Sequence, residues 1–368
     1  MSRILLLVKG LNRGGTEQLL LNAAPFLVES KFDYEIAYLL RSTVTMRDLL
    51  RDAGLTLHCL DAEQGRLAWT SRLRTLVRHR SIDLIHTHSP YPAAVARSVI
   101  TASPAPRFVH TEHAPWDSYH RATYWANLLT FWRNAHVFAV SRYVLDSISY
   151  PKLLRPLRKP PAEVLYQGLR DAGSPVEHRN GVRDELGIAS DAPVVGVVAN
   201  FTPQKAHRFV LDAVASVRAV LPDVRLVLVG NGPLEGDIRR YASERGLDDT
   251  VVFAGYRTDA PRIASAFDVF ALSSMQEGLS IALIEGMANG IPAVVTDVGG
   301  LPEVVRSGRE GFVVARQNPS EMASALTRLL RDVSLRRGMG EAARVRARDF
   351  DIRRTVDRTE DVYRSLIR

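Results

Sequence analysis

Short apolar runs alternate with helical stretches along this whole chain, and that alternation narrows the fold more than any other feature. Residues 3–8 form a continuous apolar run, the signature of a strand buried on both faces. Residues 34–40, 57–60 and 83–88 repeat it, with helical segments such as the basic 72–80 between them. Residues 108–116 and 136–148 continue the series. A second series runs through 193–200, 225–233, 251–257, 269–274 and 311–315. Strands that alternate with helices pair in parallel, with helices on both faces. The expected class is α/β: two doubly wound, Rossmann-like domains facing a cleft. A length of 368 residues suits two domains of ordinary size. We place a first domain at 1–170, a polar Gly/Pro-bearing linker at 171–190, a second domain at 191–350 and a final helix at 351–368.

Charge separates the halves. Residues 1–170 hold 22 Lys/Arg against 13 Asp/Glu, and residues 171–368 hold 26 against 27. A basic first half admits an anionic membrane surface or an acidic acceptor as partner, and residues 151–161 (PKLLRPLRKPP) are its most basic and apolar loop. No nucleic-acid-binding module is present, so nucleic acid is not an expected partner. Cys59 is the single cysteine, which excludes a disulfide framework and favours a reducing, cytoplasmic compartment. The first apolar run is too short for a signal peptide, and no later run reaches spanning length.

Residues 276–302 (QEGLSIALIEGMANGIPAVVTDVGGLP) carry the most chemistry. Glu285 is the one charged residue between Gly278 and Thr296. A helix this apolar on every side is buried, and a buried carboxylate needs a partner from elsewhere in the fold or from a ligand. Glu277 sits on the loop after a strand, where open α/β sheets bind ligands. A helix starts near Leu279, so the backbone N–H groups of Gly278, Leu279 and Ser280 suit an anion. Gly299 and Gly300 let backbone amides approach a ligand closely.

The segment resembles the donor-site signature of retaining glycosyltransferases of family 4, which have the GT-B fold. Glu277, seven residues, Glu285, an apolar helix, Gly290, Pro292, a Val-rich strand and Gly299-Gly300 all match its pattern. The resemblance implies a nucleotide-sugar as co-substrate, with UDP the usual nucleotide. It also implies a glycan or lipid-linked acceptor, retention of configuration, and no metal or other cofactor. Glu285 would accept hydrogen bonds from the ribose hydroxyls and Glu277 would hold a sugar hydroxyl. His113, at the carboxyl end of the 108–116 strand, would bind the sugar. Gly14 and Gly15 match the family's glycine-rich loop, and Thr16 is the expected cap of the helix that follows. Tyr256 and Arg257 would flank the base. Ser274, just ahead of the Glu277 loop, and Gly230, which opens a Gly-x-Gly-Pro turn, complete the donor set. The final helix matches one that crosses back onto the first domain.

Lys205 stands where a diphosphate would lie. The family places an Arg five or three residues before this lysine, and here Asn200 and Thr202 occupy those positions. Gln167 likewise replaces an Asn of the pattern. His86 and His88 are expected on opposite faces of a strand end. Glu112 leaves its strand on the ligand-binding side. Trp116, Tyr119, Tyr124, Trp125, Phe131 and Trp132 form a candidate acceptor wall. His110 and His113 lack a third ligand for metal. Two other readings fit part of this picture. A non-catalytic nucleotide-sugar-binding subunit would explain the missing Arg. An NAD-dependent oxidoreductase shares the doubly wound architecture, but the full Gly-x-Gly-x-x-Gly fingerprint is absent.

Overall fold

The computed structural model describes every residue except 13, 41–45, 62, 64, 102–104, 151–158, 171–178 and 368. Most of the basic loop 151–161 and the first part of the linker therefore lie outside the described residues. The chain divides into two units, Met1–Arg170 with Ile352–Arg368, and Asp171–Asp351.

The first unit holds strands β1 (Arg3–Gly10), β2 (Asp33–Leu40), β3 (Thr56–Cys59), β4 (Leu84–Thr87), β5 (Arg107–Glu112), β6 (His136–Ala139) and β7 (Ala162–Val164). They form one parallel sheet in the order β3-β2-β1-β4-β5-β6-β7. Side chains alternate across a strand, and β1 is apolar on both sides. Ile4, Leu6 and Val8 pack with Leu20, Ala24 and Leu27 of the helix Gly15–Val28. Ile352, Val356 and Tyr363 of the last helix, Ile352–Leu366, join the same core. Leu5 and Leu7 face the other way, onto Trp69, Leu73 and Val77 of the helix Arg66–His79.

The second unit holds β8 (Val194–Val198), β9 (Arg225–Val229), β10 (Val251–Gly255), β11 (Val269–Leu272), β12 (Ala293–Thr296) and β13 (Gly311–Val314). Their order is β10-β9-β8-β11-β12-β13, again parallel. Each sheet winds outward in one direction, then restarts beside its first strand and winds the other way. The reversals fall between β1 and β4 and between β8 and β11. Crossovers leave on opposite faces there, and the loops at the carboxyl ends of the two strands part into a crevice.

Several local expectations change. Gly14, not Thr16, is the N-cap of its helix. The helix after Glu277 begins at Ile281, with the Ser280 hydroxyl accepting from Leu283 N–H at 3.3 Å. Glu112 turns out to be internal. It is fully buried and accepts from Trp116 Nε1 at 2.9 Å, Asn127 Nδ2 at 3.1 Å and the Tyr119 hydroxyl. Burial pushes its carboxyl up, but His110 beside it and these donors outweigh that and hold it at about 2. Buried Arg97 also bonds Asn127, so a paired charge network pins β5 to the helices that cover it. The aromatic cluster divides accordingly. Trp116 and Phe131 are core, packed edge to face at 4.9 Å, while Trp125 and Trp132 stay exposed.

Candidate active site

In the second unit, the loops after β8 and β11 flank the reversal point. Residues 203–205 form a short turn, and Ala206 adopts a left-handed φ of 47° before the helix His207–Arg218. This turn aims Lys205 at the β11 loop, where its ammonium pairs with the Glu277 carboxylate. Further bonds fix the contact. Ser274 donates its hydroxyl to Glu277 Oε1 at 3.2 Å. The Ser273 hydroxyl reaches the Lys205 and Ala206 carbonyls at 3.2 and 3.1 Å. Met275 N–H donates to the Gln204 carbonyl at 2.8 Å, which joins the two loops through their backbones, so the pair does not depend on side chains alone. Thr296, at the end of β12, donates to the Ser274 carbonyl at 2.7 Å.

Gly299 closes the same site from the β12 side. Its φ is 58°, and a Cβ there would stand 1.8 Å from the Glu277 carbonyl oxygen. Glycine is required on both counts. Gly300 follows as the N-cap of the short helix Leu301–Val304. On the β9 side, Gly230 lies against Ala199, leaving no room for a side chain, and Asn200 is exposed beside it. Tyr256 and Arg257 follow β10. The Arg257 guanidinium is held by Asp259 at 2.8 and 2.9 Å and by Glu185 at 2.6 Å, so it is committed within the protein. Lys205 and Arg257 are the basic residues of the loops after β8 to β12, and no second cation stands near Asn200 or Thr202 in those loops.

Glu285 differs from the sequence expectation. It lies in the helix Ile281–Ala288, but it is not enclosed: it is half-buried, as is Ala282 one turn earlier. Gly278 and Leu279 are half-buried too, so this side of the segment opens outward. Protein atoms crowd the Glu285 carboxyl enough for burial to raise its pKa to about 7. Among the described residues its side chain has no hydrogen-bond or ion-pair partner. A carboxylate that is desolvated, unpaired and still reachable is poised for a hydroxyl-bearing ligand.

In the first unit, the loops after β1, β4 and β5 bring Gly14, His88 and His113 to the ends of neighbouring strands. Gly15 is exposed. His113 Nε2 lies 3.1 Å from His88 Nδ1, and Gln167 Nε2 lies 3.4 Å from His113 Nδ1. A Gln167 amide that donates to Nδ1 would leave the His113 proton on Nε2, facing His88. His86 and His88 share a face, because residues two apart on a strand do. Their ring centroids are 4.3 Å apart, and the expectation of opposite faces is corrected. Burial first, and neighbouring histidines second, lower the pKa of all three.

Sequence reasoning misses three residues with altered properties. Glu17, in the first turn after Gly14, has its pKa raised to about 7 by burial. His207 is buried, both ring nitrogens lack a partner among the described residues, and burial together with Lys205 lowers its pKa to about 4. Asp268 gathers three arginines at the other end of its strand. Glu17 has a visible signal in the acid of a helix first turn; the other two have none.

Two family models match the chain. "Glycosyltransferase Family 4" matches residues 13–150, and "Glycosyl transferases group 1" matches 192–332. An Escherichia coli UDP-Gal:alpha-D-GlcNAc-diphosphoundecaprenol alpha-1,3-galactosyltransferase is 25% identical over 80% of this chain and 78% of its own length. The D-inositol 3-phosphate glycosyltransferase of Mycobacterium marinum is 33% identical over 51% of this chain and 42% of its own. For several such relatives the chain spans about half their length. Among solved structures, Anabaena HepE in complex with UDP-glucose superposes with a TM-score of 0.85 at 19% identity, covering 99% of this chain and all of the other.

Proposed function

This chain belongs to glycosyltransferase family 4, and we propose that it transfers a sugar from a UDP-sugar to a glycan or lipid-linked acceptor, with retained configuration, in cell-envelope or polysaccharide synthesis. Glu285 carries this reading. Its unpaired carboxyl, held near a pKa of about 7, gains most from the two hydroxyls of a ribose, which would replace the water it lost. Lys205 would leave Glu277 in part to meet the diphosphate and stabilise the charge that grows on the leaving phosphate. Glu277 would then take a sugar hydroxyl. Amides at the start of the helix Ile281–Ala288 and at Gly299-Gly300 would serve where the second cation of the family pattern is missing. His113 would face the sugar, its tautomer set by Gln167. Retention would follow from attack on the face that the phosphate leaves, with the phosphate as base.

The test is UDP titration of the wild type and of Glu285→Ala by calorimetry. We expect tight binding to the first and at least tenfold weaker binding to the second, the loss of hydrogen bonds to a charged acceptor. Equal affinities would refute the ribose role. UDP release from UDP-sugars, with and without candidate acceptors, then separates a transferase from a binding subunit.

A further inference from the structure

The second unit has an open cavity of about 950 Å³ at the amino ends of its strands, away from the Lys205 and Glu277 loops. Phe267 and Asp268 precede β11, and Ile291 and Pro292 precede β12. Strands of four or five residues separate the two ends by roughly 15 Å, so a diphosphate held by Lys205 does not occupy this cavity.

Its charge is unbalanced. Among the described residues Asp268 is the one carboxylate in the lining, against the guanidiniums of Arg179, Arg262, Arg336 and Arg337. Arg262 is neutralised outside the cavity, since it and Arg257 share Asp259 and Glu185. Asp268 serves Arg179, Arg183 and Arg336. Arg179 reaches it at 2.7 Å, buried Arg183 at 2.9 Å, and Arg336 stands 3.6 Å away. It also accepts the Val194 N–H at 2.9 Å. Three cations thus share one anion. Burial first, then Arg179, lower the pKa of Arg183, and Asp268 opposes them.

Donors remain open. A guanidinium offers five N–H groups. Arg179 spends its Nη1 and Nη2 atoms on Asp268 and the Ser265 and Phe267 carbonyls, and Arg336 spends Nη1 on the Leu329 and Leu330 carbonyls. Arg179 Nε and Arg336 Nη2 have no hydrogen-bond partner among the described residues. Arg337 is exposed, with neither hydrogen bond nor ion pair among them. A surplus of cations with forked, unspent donors around a concave floor matches a phosphate group better than a single carboxylate, because phosphate brings more charge and more acceptor oxygens.

We propose that this cavity binds a phosphate-bearing ligand at a site separate from the donor site. The proposal does not depend on the activity assigned above.

The experiment uses the intact protein with Lys205→Ala, which weakens phosphate binding at the strand carboxyl ends. Inorganic pyrophosphate is titrated by calorimetry into Lys205→Ala and into Lys205→Ala/Arg337→Gln. Arg337 is exposed and makes no polar contact among the described residues, so the second change should leave the melting temperature alone. We expect a binding isotherm in the first protein, weakened about tenfold in the second. In a parallel arm, both proteins are floated with phosphatidylcholine vesicles with and without phosphatidylglycerol. Recovery on the anionic vesicles that Arg337→Gln abolishes would assign the phosphate to a lipid headgroup. A pyrophosphate isotherm without flotation would assign it to a soluble ligand. No binding in either arm overturns the proposal, and so does binding that neither Arg337→Gln nor Arg336→Gln alters.

Discussion

Lys205 and Glu277 lie 72 residues apart in the chain and meet as an ion pair at the reversal point of the second sheet. Glu277 is 8% exposed and Lys205 is 23% exposed, so the pair is partly screened and strongly oriented. Lys205→Ala should slow sugar transfer by about 10²-fold, the scale of losing one preorganised charge partner. It should also destabilise the second unit by about 1–3 kcal/mol, because among the described residues Glu277 keeps only Ser274. Adding Glu277→Ala should restore stability and not activity. Urea melts and UDP-release rates on the wild type, the two single variants and the double variant read both effects.

Glu285 should show stability and function opposed. A carboxyl raised from 4.5 to about 7 favours the folded state when protonated, and that contribution is lost as pH rises through 7. Glu285→Gln should therefore raise stability at pH 8 by about 2 kcal/mol, while UDP affinity falls. In the wild type, UDP affinity should drop as pH falls below 7, since a protonated carboxyl accepts fewer hydrogen bonds. An affinity flat from pH 6 to 8 would count against a ribose contact.

Acid should weaken the fold early. His86, His88, His113, His136 and His207 all have pKa values lowered mainly by burial. Below about 6.5 the unfolded chain takes up protons that these folded histidines refuse, so their stability is full above 6.5 and falls with pH. Glu17 and Glu285 oppose this between pH 7 and 4.5, but two carboxyls face five histidines. Urea midpoints at pH 8, 6 and 5 should decline, and more steeply in Glu285→Gln. Constant midpoints would contradict the sign.

Gly299→Ala combines a left-handed backbone with a Cβ set 1.8 Å from the Glu277 carbonyl oxygen. We expect a cost of about 1–3 kcal/mol and loss of transfer, because the Glu277 loop must move. Gly14→Ala is the contrast. Its Cβ would meet the far end of the Glu17 side chain at 2.7 Å, which can swing away, so stability should barely change. Thermal melts of the two variants make the comparison.

Tyr363→Phe tests the last helix. The Tyr363 hydroxyl bonds His86 Nδ1 within the buried core of the first unit. Losing it leaves a buried ring nitrogen unpaired, at about 1–3 kcal/mol, with the aromatic packing intact. A change below a few tenths in a urea melt would show that the bond is not formed.

The α/β class was legible because β1 and its counterparts are apolar on both faces, the pattern of a parallel sheet under two helical layers. Glu285 was legible as the lone charge of an apolar helix. Its partial exposure was not, since which face of that helix opens depends on what packs against the others. Glu112 misled for the converse reason. Its place at a strand end is a ligand-binding position, but Trp116, Tyr119 and Asn127 fold back over it. The His86 and His88 pairing required only the period-two rule.

By itself the sequence determined the strand–helix alternation, the spacing from Glu277 to Glu285 and the glycines that admit tight backbone, because these follow from local propensity and from sterics within a few residues. Only the tertiary structure decided that Lys205 meets Glu277, that His88 meets His113 and that three arginines crowd Asp268. Those contacts join strand ends far apart in the chain, and their partners are set by sheet order and burial, which no local run of residues encodes.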